Sequence, residues 1–250
     1  MNTAPKWCLN PARLGVGKMM KHKTVEDVVD TMKRLQPGEV IIAEYDSLAP
    51  VHLAASVPLS VPLLDADDER HLIVNDIFDQ FHVIKAHLSI TGIDTGWMDE
   101  IPVIKFGGVL HTGNVIKRIS VLKAASVWHR EYVEALETFP GLKIIVILGL
   151  EKLLTVKTDI PSSSICRMCM ASAMGSEDMI MVAFVNRDML PESVREDIRE
   201  LASRVFEFSF RNGRLVLRVV KSPTLERYGS EFSVNAGELV EYLHRRSGRR

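Results

Sequence analysis

Ile41-Ile-Ala-Glu-Tyr-Asp-Ser-Leu-Ala-Pro-Val-His-Leu-Ala-Ala55 is the stretch on which the reading of the fold turns. Preceded by Pro37-Gly38-Glu39-Val40, it reads as a buried strand over 40–45, a turn, and a helix over about 50–56 that Pro58 cuts short. Strand, turn and helix in that order are the local frame of a phosphate loop. Such a loop uses glycine for close backbone approach, lysine for the β- and γ-phosphates and Ser or Thr for magnesium. Asp46-Ser47-Leu48-Ala49-Pro50 fills the frame with neither glycine nor lysine. An aspartate there repels a triphosphate, and Pro50 removes an amide donor.

Outward from this stretch, strand-like and helix-like segments alternate. Upstream, Thr24 caps a helix whose apolar stripe is Val25, Val28, Val29, Met32 and Leu35. Downstream, a strand over 71–74 leads into a helix over 76–90, and a third strand over 101–106 ends at Gly107-Gly108. A helix over 126–136 precedes the most apolar strand, 142–148; then come a helix over 165–174, a strand over 179–185 and a helix over 192–202. Segments 204–210 and 214–220 flank Asn212-Gly213, a two-residue hairpin signal, and a short strand over 231–234 and a helix over 237–246 close the chain. Continuous apolar strands alternating with helices call for a parallel sheet covered on both faces, here extended at one edge by an antiparallel hairpin.

The chain has 250 residues, 46% hydrophobic and 25% charged, which excludes a disordered or fibrous protein and allows one large domain. The apolar run 51–64 holds Pro58 and Pro62 and falls short of the roughly 20 residues of a helical membrane span. With no secretory signal pattern at the N-terminus and three cysteines, Cys8, Cys166 and Cys169, a cytoplasmic location is expected. The net charge of −1 hides basic ends: residues 1–23 carry +5, residues 241–250 carry +3, and the body between them −9. We read 1–23 as a basic arm and 24–246 as a single domain. The basic termini leave nucleic acid as one partner class.

Four places, taken in order, resemble the RecA/KaiC-like ATPase domain, and resemble more closely an archaeal family of unknown function that looks like a degenerate relative of it. They are Pro37-Gly38-Glu39-Val40-Ile41-Ile42, the run from Asp76 to Gly92-Ile93-Asp94, the strand 142–148, and the late run from Leu201-Ala202-Ser203-Arg204-Val205 through Lys221-Ser222-Pro223 to Glu231-Phe232-Ser233-Val234. The resemblance implies a RecA-like three-layer α/β sandwich with a mostly parallel central sheet and a C-terminal antiparallel hairpin. It also implies assembly through subunit edges, so a protein partner or self-association is expected. The second acidic motif of such domains is missing as well. Gly149-Leu150 stand where the magnesium-organising aspartate belongs, with Glu151 one residue beyond.

Ligands of α/β sheets bind outside the carboxyl ends of the strands. That rim gathers Asp46, Ser47, Asp76, Asp79 and Gly107-Gly108, with Lys221 as a further member, and Asp76 and Asp79 are expected three apart on one helix face. Other constellations read as structure. Gly15-Val16-Gly17-Lys18 lacks the first glycine and the hydroxyl residue of a phosphate loop. Cys166-Arg167-Met168-Cys169 has no second ligand pair for zinc, and His82 and His87 are not at the i,i+4 spacing of a metal pair. No metal or cofactor is expected. The reading is a pseudo-ATPase: a binding or regulatory module without a working phosphate loop. An enzyme of another class using Asp46 or Asp76 as general base, and a nucleic-acid-associated protein, are the alternatives.

Overall fold

Val40–Tyr45 forms β1, and all six of its residues are buried. Ile41, Ala43 and Tyr45 enter one core and Val40 and Ile42 the other, as the period of two in an extended chain requires. The computed structural model describes residues 24–60, 70–156, 160–224 and 227–247. The arm 1–23 with its Gly-Lys pair and Cys8, the acidic run 65–69 and the last three residues lie outside the described residues.

In chain order the elements are α1 (Val25–Lys33), β1, α2 (Val51–Ser60), β2 (Arg70–Ile77), α3 (Gln80–Ile90), β3 (Pro102–Phe106), β4 (Asn114–Ile119), α4 (Ala125–Leu136), β5 (Leu142–Leu148), α5 (Leu150–Thr155), α6 (Ser162–Met170), β6 (Met179–Asn186), α7 (Glu192–Leu201), β7 (Arg204–Arg211), β8 (Arg214–Lys221), β9 (Glu231–Asn235) and α8 (Ala236–Ser247). One nine-stranded sheet runs β4-β3-β2-β5-β6-β1-β7-β8-β9. Its first seven strands are parallel, and β7–β8 and β8–β9 are antiparallel. Asn212 and Gly213 both take positive φ at the β7–β8 turn, the backbone a two-residue hairpin needs.

Two hydrophobic cores lie on the two faces of the sheet. One packs Val28, Leu53, Phe81, Ile84 and Leu239 from α1, α2, α3 and α8 against it. The other packs Trp128, Leu153, Cys166 and Ile198 from α4, α5, α6 and α7. Three layers result. Fully burying one such aliphatic or aromatic side chain stabilises the fold by about 1.5–3 kcal/mol.

The differences from the sequence-based expectation have local causes. Helix α2 runs through Pro58 to Ser60 instead of stopping before it. Proline removes one amide donor, but Val57 and Leu59 are buried on either side, so packing holds the last turn. Strand β2 extends to Ile77 and α3 starts only at Gln80, so Asp76 ends a strand and Asp79 lies in the turn; they do not share a helix face. Strand β4 is an edge strand, alternately exposed and half-buried, whose Asn-Val-Ile-Lys-Arg-Ile run has too weak an apolar pattern to announce it.

Candidate functional site

Because β1, β5 and β6 are neighbours and their strands parallel, their carboxyl ends meet on one side of the sheet, where α/β proteins place ligands. There the Ser47 backbone amide donates to the Asp188 carboxylate at 2.8 Å. The Asn186 side-chain amide donates to the Ser47 hydroxyl at 3.1 Å, and the Asp188 amide donates to the Asn186 side-chain oxygen at 3.0 Å. Arg187 pairs with Asp46 at 3.3 Å. The turn after β6 thus closes over the loop after β1. Hydrogen bonding from the Ser47 amide, ahead of the opposing effect of burial, holds the Asp188 carboxyl below the usual range.

Beneath this closure lies Glu151, near the start of α5 and 1% exposed. The Tyr45 hydroxyl donates to one of its oxygens across 3.5 Å, and the other oxygen has no hydrogen-bond partner. Burial pushes the Glu151 carboxyl up, against the amides of Glu151 and Asn186, the Lys152 charge and the Tyr45 hydroxyl. Burial and the Glu151 charge push the Tyr45 phenol up in turn.

A second constellation stands at the ends of β2 and β3. Lys105 has a fully buried side chain and donates to Asp76 at 2.5 Å and to Asp79 at 2.7 Å. The other oxygen of Asp76 accepts the Phe81 amide at 2.9 Å. Asp79 accepts the Val109 amide at 2.9 Å and the Leu110 amide at 3.1 Å, one to each oxygen. Burial alone would raise its pKa, but the Lys105 ammonium and these two amides together hold the carboxyl below the usual range.

The rim read from the sequence therefore divides. Asp46 and Ser47 join one cluster and Asp76 and Asp79 the other, while Lys221 leaves the rim. It pairs in register with Val205 at the amino end of β7, and its ammonium donates to the carbonyls of Arg199 and Glu200 at the end of α7. The reason is the hairpin, since an antiparallel β8 returns its last residue to the opposite edge of the sheet. Sequence reasoning missed Lys105, a lone charge inside the apolar strand Pro102-Val-Ile-Lys-Phe106, which itself signals a buried partner. It missed the polar run Asn186-Arg187-Asp188 at the end of β6 as well.

Cys166 and Cys169 are free and buried on α6, and burial pushes both thiols up to about 12. Burial of this kind disfavours the thiolate, the form that ligates a metal or exchanges disulfides. Among the described residues no group of three or more His, Cys, Asp or Glu is placed to hold a metal ion. None of the described helices is long and apolar enough to cross a membrane.

The fold has solved counterparts. A structural study of Project ID PH0250 from Pyrococcus horikoshii OT3 superposes with a TM-score of 0.67 at 24% identity, over 80% of this chain and 95% of that one. The flagellar accessory protein FlaH from Methanocaldococcus jannaschii gives 0.52 at 12% identity, over 83% and 88%. The uncharacterized protein PH0321 from Pyrococcus horikoshii, solved in complex with an unknown peptide, gives 0.52 at 12% identity, over 79% and 90%. No match was found among curated proteins. The architecture is RecA-like, and these likenesses are of fold. With residues 30–233 matching its family model, the chain belongs to the family described as "Pyrococcus protein of unknown function, DUF257".

Proposed function

We propose that the chain is a non-hydrolysing RecA-like module, KaiC-like in descent, that works by binding a protein partner. One hydrogen bond carries this reading: the Ser47 amide, placed where a phosphate loop turns its amides to a phosphate oxygen, is taken by the chain's own Asp188. Asp46 and Asp188 add two negative charges against an incoming triphosphate; Arg187 answers part of them, and no lysine stands in the loop after β1. The acid–base alternative has less support, because Asp76 is fully enclosed and Asp46 is engaged by Arg187. Val109 and Leu122, at 85% and 90% exposure, stand on the loops after the neighbouring strands β3 and β4, and exposed apolar side chains there suit a protein contact. The peptide bound to PH0321 is a ligand of the class this reading calls for.

The test is a thermal-shift titration of the full chain with ATP and ADP and their magnesium complexes. A ligand at 100 times its Kd adds about 2.7 kcal/mol to the folded state, a shift well within reach of the measurement. We expect none. A saturable shift together with ATP turnover that a substitution in this chain abolishes overturns the reading.

A further inference from the structure

The loop after β3 has the build of an anion receptor. Gly107 and Gly108 both take positive φ, 68° and 73°, and the amides of the next two residues, Val109 and Leu110, turn to a common point. Consecutive amides in such a turn make a concave nest for an anion. Below it stands Lys105, whose wholly buried ammonium donates to Asp76 at 2.5 Å and to Asp79 at 2.7 Å, so beside the buried Lys105–Asp76 pair the nest keeps a fixed N–H donor in a poorly solvated place. The glycines are required here. A Cβ at Gly107 would come within 2.6 Å of the Phe78 ring, and one at Gly108 would collide with the Asp79 carboxylate.

What fills the nest is Asp79, and the chain distorts to put it there. Phe78 and Asp79 both adopt positive φ, 50° and 64°, a left-handed pair without a glycine. Each such residue costs on the order of 1 kcal/mol, and a strained pair persists only where the surroundings hold it. The contacts are those of a ligand. One carboxylate oxygen receives the Val109 amide, the other receives the Leu110 amide and the Lys105 ammonium, and 17% of the side chain remains exposed.

We propose that Lys105 and the loop from Gly107 to Leu110 form a carboxylate-binding site, which the chain keeps closed with its own Asp79. Two amides meeting the two oxygens of one planar group select a carboxylate over a tetrahedral oxyanion. The exposed Val109 and Leu110 side chains that carry these amides make this loop the face from which the site opens. The inference does not depend on whether the loop after β1 binds nucleotide.

The variant that tests it is Asp79→Gly. It removes the occupant and also relieves the left-handed strain at that position. The probe is sodium acetate, set against sodium chloride at equal ionic strength and against inorganic phosphate, on the full chain. For Asp79→Gly we expect acetate to raise the Tm saturably by roughly 2–4 °C, with phosphate doing less. In the same titration the backbone amide resonances of Val109 and Leu110 shift. The wild type shows neither response, because Asp79 holds the site. A folded Asp79→Gly that ignores acetate, an equal response in the wild type, or resonance shifts confined to other residues overturns the proposal. Phosphate acting more strongly than acetate overturns the choice of ligand. Should Asp79→Gly fail to fold, Asp79→Ala serves with the same readouts. If neither reaches a folded state, Asp79 is a strut and the proposal falls.

Discussion

At the ends of β2 and β3, Lys105 sits between two carboxylates, with amides completing the coordination of both acids. At the ends of β1, β5 and β6, Glu151 is buried as deeply, yet among the described residues no side-chain cation pairs with it directly. The Tyr45 hydroxyl is 3.5 Å from one oxygen and the other oxygen has no hydrogen-bond partner, so burial outweighs the amides and the Lys152 charge that act on it. Both places lie along the carboxyl edge of one parallel sheet, and both bury an acid; they differ in what answers its charge. Where a cation and amides converge, the ionised carboxylate is the stable form and the structure is a lock. Where burial outweighs the amides and the charge nearby, the carboxyl is pushed toward its protonated form.

The largest effect tests the lock. Lys105→Met removes the cation and leaves the enclosed Asp76 without its counter-charge, beside the part-exposed Asp79. Breaking a buried ion pair from one side costs about 3–5 kcal/mol, because the remaining charge is neither paired nor solvated. Chemical denaturation of this variant should show that loss, with an unchanged dependence on denaturant concentration if the unfolded state is unaffected. A loss below about 1 kcal/mol would mean the triad is solvated, and the contrast with Glu151 would disappear.

The two ends also respond to acid with opposite signs. Asp79 has its carboxyl held down by Lys105 and two amides against the effect of burial, so it adds stability that is complete above the ordinary aspartate value and is lost as pH falls through the lowered one. Burial raises Glu151, so its ionised form destabilises the fold above the raised value, and that penalty vanishes below the ordinary glutamate value. Glu151→Gln should therefore stabilise the protein at pH 8 and match the wild type near pH 4. The gain at pH 8 is the cost of ionising the buried acid, about 1.4 kcal/mol for each tenfold weakening of its acidity by burial. Denaturant midpoints across that range measure it. A gain that is the same at both ends, or absent at pH 8, would show that the Glu151 carboxylate is answered by a group outside these contacts.

Much of this was legible in the chain. The run 142–148, apolar almost throughout, could only be a strand buried on both faces, and it is β5 at the centre of the parallel sheet. Asn212-Gly213 specified its hairpin. The absence of glycine and lysine from the loop after β1 was read directly, because local backbone chemistry is written locally. The groups that complete each cluster are distant in sequence: Asp188 lies 141 residues from Ser47, and Lys105 lies 29 from Asp76. No periodicity encodes such pairs, which follow from strand order. The same order sends Lys221 to the far edge of the sheet, although in sequence it follows an apolar strand as the rim residues do.

The smallest effect bears on the closure over Glu151. Arg187 and Asp46 are 28% and 26% exposed and meet at 3.3 Å with one nitrogen, and pairs as open as this contribute under about 1 kcal/mol. Asp46→Ala should thus move the urea midpoint little, since the Ser47 amide keeps its bond to Asp188. The informative measurement is the nucleotide titration repeated on this variant. Asp46→Ala removes one of the two charges that oppose a triphosphate and frees the Leu48 amide, which donates to Asp46 at 3.1 Å, but it supplies no lysine and leaves the Ser47 amide with Asp188, so the response to ATP should stay absent. If ATP now stabilises the variant, Asp46 alone was the barrier, and the end of β1 is a nucleotide site held shut by one side chain and not one rebuilt for another use.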